Sequence, residues 1–375
     1  MFFVEKTAES AVSFIEQKTR RTISPFELGF FTAMSAAKYI GEEAMHRTLR
    51  STALAVLGTG CLLATSSCAK HSYSDQYYLV ATNIKLPYWQ TANNGLMKAA
   101  TQYGVKVEMR GTETFDPQGE VQEFETVIAR KPAGILVSVA DPALMQPEID
   151  KAMAANIPVL TIDSDSPNSH RLYFIGTNNL AAGRLGGQRV VEKLHGKGNV
   201  VFFTMPGQPN LDERLKGYTD AFSRNSGINI ENIVNIKGDS GNAFDNTQSM
   251  LGKTGKDKVD AFICLEASAG KDVAEALKRA HATDRELVAM DVDEATLNLV
   301  KEGVIDATVG QKPFTMAYYG LKQIVELHEN PLKQLDKDYE TDSFSPIPAF
   351  VDTGVTLVDK NNVDLFLHAR QEAAQ

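Results

Sequence analysis

GILVSVADPALMQPEIDKAMAANIPVLTIDSDSP, residues 134–167, opens on a short apolar run and closes on another, with an amphipathic stretch between them. Runs of four to six apolar, β-rich residues suit strands buried on both faces, and a helical crossover between two of them makes a parallel βαβ unit. Asp141 stands before Pro142 as an N-cap before a first-turn proline, a pairing that starts a helix. Asp116 before Pro117 repeats that signal upstream.

Outward from this unit the same alternation continues. Strand candidates YLVAT (78–82) and KVEMR (106–110) precede it and LYFIG (172–176) follows, with helical stretches beginning near Trp89, Pro117, Pro142 and Leu180. The pattern then starts again with NVVFF (199–203), NIVNI (232–236), AFICL (261–265), ELVAM (286–290) and IDATVG (305–310). Here the helical stretches begin near Asn210, Ala243, Gly270, Glu294 and Phe314. Two successive series of this kind predict an α/β fold of two similar, doubly wound parallel-sheet lobes rather than one very wide sheet. Ligand sites in such sheets lie beyond the carboxyl ends of the strands.

Ahead of the lobes, MHRTLRSTALAVLGTGCLLATSSC (45–68) places two arginines before an apolar run and small residues before a cysteine. That is the layout of a lipoprotein signal with lipidation at Cys68, Cys61 being the second choice. An uncleaved membrane anchor is the competing reading, disfavoured because the run is short for a bilayer. Residues 1–44 form an N-terminal extension outside any normal signal, and the expected start of translation is Met45. Of the three cysteines in the chain, only Cys264 would then remain free in the exported part, which leaves no intramolecular disulfide and reads as a small buried hydrophobe in AFICL.

Composition narrows the function. The chain is 43% hydrophobic and 23% charged, with a formal net charge of −9. No basic stripe or long run of one sign marks a nucleic-acid footprint. The phosphate-binding patterns G-x-G-x-x-G after the first strand and G-x4-G-K-[ST] are absent, as is G-x-S-x-G, and the seven histidines lack ligand spacing. The sequence therefore predicts a protein that is not an enzyme and carries no cofactor or metal.

At the strand ends stand groups of another kind. Asn83-Ile84-Lys85-Leu86-Pro87-Tyr88-Trp89 turns at a proline and opens a helix on two large aromatics, whose flat faces suit sugar C–H surfaces. Asp163-Ser164-Asp165 follows the fourth strand. In the second series Arg214, Glu266, Asp291 and Gln311 follow the first, third, fourth and fifth strands. Each alone is an ordinary surface or cap residue. Together they set planar polar groups, able to bind hydroxyls bidentately, at the facing edges of two lobes.

With these residues in hand the chain resembles the type I periplasmic sugar-binding proteins of ABC importers, the ribose-binding family, from about Tyr77 to Val358. The resemblance rests on LPYW (86–89), ANIPVLTIDSDSP (155–167), IGTNNLAAGRLGG (175–187), DERLKGYTDAF (212–222), FICLEASAGKDVAEAL (262–277) and AMDVDEATLNLVKEGVIDATVGQKP (289–313). It implies that Tyr88 and Trp89 stack on the ligand, that Asp163 and Arg214 bind hydroxyls, and that Asp291 and Gln311 complete the second lobe's contacts. Three departures put ribose itself in question: Leu86 in place of a ligand asparagine, Ser164 in place of an arginine, and Glu266 in place of an asparagine. Lys85 or Asp165 are candidates to replace the missing polar contacts, Lys85 reading more simply as solvent-facing. The resemblance further implies crossings between lobes near Asn178, Lys312 and Ser343, giving one lobe of 77–178 plus 312–342 and another of 179–311 plus 343–375. A monomeric, lipid-anchored periplasmic protein that delivers a monosaccharide or polyol to an importer's membrane permease is the expected role. The alternatives are a ligand sensor for a chemoreceptor or kinase and, less well supported, the sensor half of a LacI-type regulator, for which residues 1–44 lack a basic recognition helix.

Overall fold

The computed structural model describes residues 75–373 apart from residue 336. The expected signal at 45–68, with Cys61 and Cys68, and the extension at 1–44 lie outside the described residues. Lobe one begins with β1 (Gln76–Ala81), α1 (Pro87–Tyr103), β2 (Lys106–Gly111), α2 (Pro117–Ala129), β3 (Gly134–Val137), α3 (Pro142–Ala154), β4 (Val159–Ile162) and β5 (Phe174–Gly176). Lobe two follows as α4 (Asn179–Lys193), β6 (Lys197–Thr204), α5 (Pro209–Phe222), β7 (Gly227–Asn235), α6 (Gly241–Leu251), β8 (Ala261–Cys264), α7 (Ala269–Arg279), β9 (Glu286–Met290), α8 (Glu294–Glu302) and β10 (Ala307–Gly310). The chain then returns to lobe one as α9 (Pro313–Glu329) and β11 (Phe350–Asp352), and ends in lobe two as β12 (Thr356–Asp359) and α10 (Val363–Ala373).

Each lobe holds a 6-stranded sheet, ordered β11-β5-β4-β3-β1-β2 in lobe one and β12-β10-β9-β8-β6-β7 in lobe two. Pairing is parallel except at β12, which runs antiparallel beside β10. Each expected strand is present. The strands β3, β4, β8 and β10 are buried along their whole length, which is why their sequences read as unbroken apolar runs. On the edge, β7 exposes Ile230 and Ile233 and carries a register shift opposite Val200/Val201. Asp116 and Asp141 cap their helices as expected, accepting from Gly119 N–H and from Ala143 and Leu144 N–H. Cys264 is buried in β8, and burial pushes its thiol pKa well up.

A large hydrophobic core packs on each sheet, and a small third cluster of Ala182, Met290 and Val309 sits in lobe two. In lobe one the returning helix α9 supplies Ala317, Leu321, Ile324 and Val325 to the core. The lobes are joined by three passages of chain, between β5 and α4, between β10 and α9, and between β11 and β12. The third corrects the crossing expected near Ser343 and the boundary between 342 and 343. Phe350–Asp352 pair in register with Phe174–Gly176 before the chain leaves lobe one, and the Phe174 and Phe350 rings stack 5.3 Å apart. That pairing covers the open edge of β5 and carries the passage on to residues 353–355.

Glu120, in the first turn of α2, is fully buried and accepts from the Ala140 N–H at 3.0 Å, just past the end of β3. Burial pushes its carboxyl up to about 8. The folded protein therefore holds a proton that the unfolded chain releases near about pH 4.3. Its contribution to stability is complete below that value and is lost as the pH rises through about 8. A thermal melt series should show the wild-type Tm falling from about pH 5 to about pH 9, and Glu120→Gln, which cannot ionise, should fall less steeply. Parallel slopes would show that the group titrates normally.

Candidate functional site

The carboxyl ends of the two sheets face each other, and the residues there are positioned by their strands. Asp163 directly follows β4 and Asp291 directly follows β9, the same place in each lobe. Each donates its N–H to the neighbouring fifth strand, to Ile175 at 3.1 Å and Val309 at 2.9 Å. Both adopt positive φ, 64° and 72°, a left-handed conformation that is uncommon outside glycine and clusters at functional positions.

Asp163 is held by three donors. Tyr88, in the first turn of α1, donates its hydroxyl to Oδ1 at 2.6 Å. Ser138, one residue past β3, donates to Oδ2 at 3.1 Å, and Asn210 Nδ2 reaches the same oxygen at 3.4 Å from lobe two. Trp89 lies edge-on to Tyr88, with centroids 5.2 Å apart, and belongs to the lobe-one core while also lining the cleft.

Across the cleft Arg214 is 2% exposed. It donates to Asn179 Oδ1 at 2.8 Å, to the Leu265 carbonyl at 2.7 Å and to Gln311 Oε1 at 2.8 Å. Gln311 in turn donates to Asp291 Oδ1 at 2.9 Å. The motif IGTNNLAAGRLGG makes this possible, because a Cβ on Gly183 would stand 2.0 Å from the Arg214 carbonyl oxygen. Helices α4 and α5 thus pack backbone to backbone, which brings Asn179 to the guanidinium.

Burial raises the pKa of both aspartates against the nearby Arg214 charge, and Asp291 reaches about 7. Glu266 is also raised by burial, but its two oxygens accept from the Ser268 and Ala269 N–H groups at 2.7 and 2.6 Å. It caps the start of α7, a task the sequence reading did not assign to it.

Tyr88, Trp89, Asp163, Arg214, Glu266, Asp291 and Gln311, the seven positions singled out in the sequence, all border one small cavity of about 70 Å³ between the lobes. Leu86, Phe115 and Met205 form its apolar side. It continues past Leu86, Asp291 and Gln311 into an open recess of about 440 Å³ flanked by Lys271, Lys312 and Arg370. The two suggested substitutes are elsewhere. Lys85 pairs with Glu113 at 3.2 Å with both side chains exposed, and Asp165 is spent on a bidentate pair with Arg171 at 2.7 Å. Ser138, Asn179 and Asn210 were missed. Ser138 directly follows a strand and was open to the strand-end rule, whereas nothing local marks the two asparagines.

This architecture has known relatives. Residues 77–330 match the periplasmic binding protein domain. The chain belongs to that family. It is 24% identical over 282 residues to the D-allose-binding periplasmic protein of Escherichia coli, covering 72% of this chain and 89% of the relative. The ribose import binding protein RbsB of Haemophilus influenzae is 23% identical over 285 residues, covering 72% and 90%. Among solved structures, the arabinose binding protein AraP of Geobacillus stearothermophilus is 33% identical with a TM-score of 0.65, covering 78% of this chain and 99% of that one. A sugar ABC transporter's sugar-binding protein from Bacillus halodurans is 31% identical with a TM-score of 0.68, covering 78% and 100%.

In this periplasmic binding protein an apolar contact joins the lobes beside the cavity. Phe115, from the loop before α2 in lobe one, packs against the lobe-two core. A Cβ on Gly238, which follows β7 at φ 73°, would stand 2.3 Å from Phe115 Cβ. Gly238→Ala should hold the lobes apart and raise the radius of gyration measured by small-angle scattering. Adding Phe115→Ala should return it toward the wild-type value, although the strain of an alanine at positive φ remains. Equal radii for wild type and Gly238→Ala would show that the contact plays no part in closure.

Proposed function

We propose that the protein is an exported, lipid-anchored solute-binding protein that captures a monosaccharide or related polyol between its lobes and hands it to the permease of an ABC importer. The observation that carries this reading is the single cavity in which carboxylates, amides and a guanidinium from both lobes surround space beside Tyr88 and Trp89. Hydroxyls need both donors and acceptors, sugar C–H faces need flat apolar surface, and the cavity supplies each. Relatives whose names record allose, ribose and arabinose binding support the same class of ligand. Asp291, Gln311 and Arg214 bind from lobe two and Asp163 from lobe one, with the aromatic pair below the ring. Glu266 acts by holding the turn at Ala267 against the cavity. A ligand that touches both lobes favours the closed form, and the importer reads that form. The reading assigns no chemical step to the protein.

A thermal-shift screen of monosaccharides and polyols tests the reading. At a hundredfold excess over Kd a true ligand stabilises by about 2.7 kcal/mol. Trp89, the one tryptophan in the chain, should change its emission on binding. Arg214→Ala and Asp291→Ala should each cost about 2–4 kcal/mol of affinity, roughly thirty- to a thousandfold, because each leaves buried partners unpaired. Calorimetry that finds less than about a threefold loss for both places the site elsewhere.

The anchor has its own test. Metabolic labelling with palmitate should mark the wild type and not Cys68→Ser. Undiminished label on the variant moves lipidation to Cys61, and absence of label on the wild type removes the anchor.

A further inference from the structure

Asn210 is an expensive residue in its present place. The residue is 4% exposed and lines the cavity, yet its Oδ1 has no hydrogen-bond partner. Leaving such a buried acceptor unmet is destabilising. Helix capping does not explain it, since α5 starts with Gln208 as N-cap and makes no side-chain cap bond. Nor does the bond from Nδ2 to Asp163 Oδ2, which at 3.4 Å is long for an N–H donor. Asn210 lies one helical turn before Arg214, so the two project from the same face of α5 into the cleft.

We propose that Asn210 grips a vicinal pair of hydroxyls on the ligand and shares one of them with Asp163 across the cleft. The proposal rests on the sugar reading given above and adds a specificity-determining residue to it. An amide presents a donor and an acceptor side by side, which fits two adjacent hydroxyls. One hydroxyl enters between the lobes, donates to Asp163 Oδ2 in place of the long amide bond, and accepts from Asn210 Nδ2. Its neighbour donates to the unmet Oδ1. One hydroxyl is thereby held from both lobes at once, which makes it the part of the ligand that most directly rewards closure.

The test is a cycle of variant and ligand run by calorimetry with D-ribose, D-arabinose and D-allose, each beside its monodeoxy counterparts. Asn210→Ala should weaken the sugar that binds wild type by about thirtyfold. It should leave unchanged the already weak binding of the counterpart that lacks a gripped hydroxyl. The Tm of the sugar-free variant should not fall, because the truncation removes an unmet acceptor, and Asn210→Ser serves as a second, smaller polar variant with the same expectation. Equal losses for the parent sugar and every deoxy counterpart, a loss below about threefold, or a lowered Tm with unaltered affinity would each overturn the proposal. If wild type binds a sugar and Asn210→Ala binds it equally well, the proposal alone fails. If wild type binds none of these sugars or the wider panel, the sugar reading fails and takes the proposal with it.

Discussion

Arg214 is the charge around which the cleft is arranged. A guanidinium has five donors and cannot discharge, so burying it obliges the fold to supply acceptors in a fixed plane. Three come from separate stretches of lobe two: Asn179 at the start of α4, the Leu265 carbonyl beyond β8, and Gln311 at the end of β10. Asn179 and Gln311 adjoin two of the three passages between lobes, so the guanidinium ties together the places where the chain enters and leaves lobe two. Its position depends in turn on Gly183 and on Gly217, where a Cβ would stand 2.3 Å from the Leu180 carbonyl oxygen. Helix packing, hinge anchorage and binding wall are one constraint seen at three distances.

The same cation acts on two of the three buried carboxyls around the cavity, Asp163 and Asp291. Glu266 is instead supported locally by two N–H groups at the start of α7, where a helix favours negative charge. Asp163 takes hydroxyl donors from Tyr88 and Ser138. Asp291 receives a single side-chain donor, Gln311, and is pushed up to about 7. Of the three it therefore gains most from a further donor, such as the hydroxyl of the proposed sugar would provide. Gln311 is polarised at both ends, accepting from Arg214 and donating to Asp291, and so passes the cation's influence to the second aspartate without a direct ion pair.

Much of the fold was legible because central parallel strands are buried on both faces and have no alternative reading. The elements that escaped notice are β11, β12 and α10. Phe350–Asp352 and Thr356–Asp359 are short edge strands with exposed polar residues, and such segments owe their conformation to a partner strand far away in sequence. For the same reason the third passage lay further along the chain than Ser343. In the site, residues at strand ends were found by position, while Asn179 and Asn210 act from helix starts whose orientation only tertiary packing decides. Asp165 misled because its neighbour Arg171 is six residues away across a turn, a local ion pair that spacing alone does not announce.

In the proposed role closure must be favourable with sugar and unfavourable without it, since apparent affinity falls by the fraction of protein in the competent form, and a form already closed has little left to report. The contacts between lobes divide along this line. Phe115 on Gly238 is apolar, lies beside the cavity and needs no ligand, so it sets a baseline tendency to close. Asn210 to Asp163 is polar, long at 3.4 Å, and leaves an acceptor unmet, so by itself it repays little of the water both groups give up. The aspartates at positive φ add local strain at the same strand ends. A ligand that supplied the absent donors would convert this long cross-lobe contact into a good one, and the difference between those two conditions is the free energy it would offer to distinguish a loaded protein from an empty one.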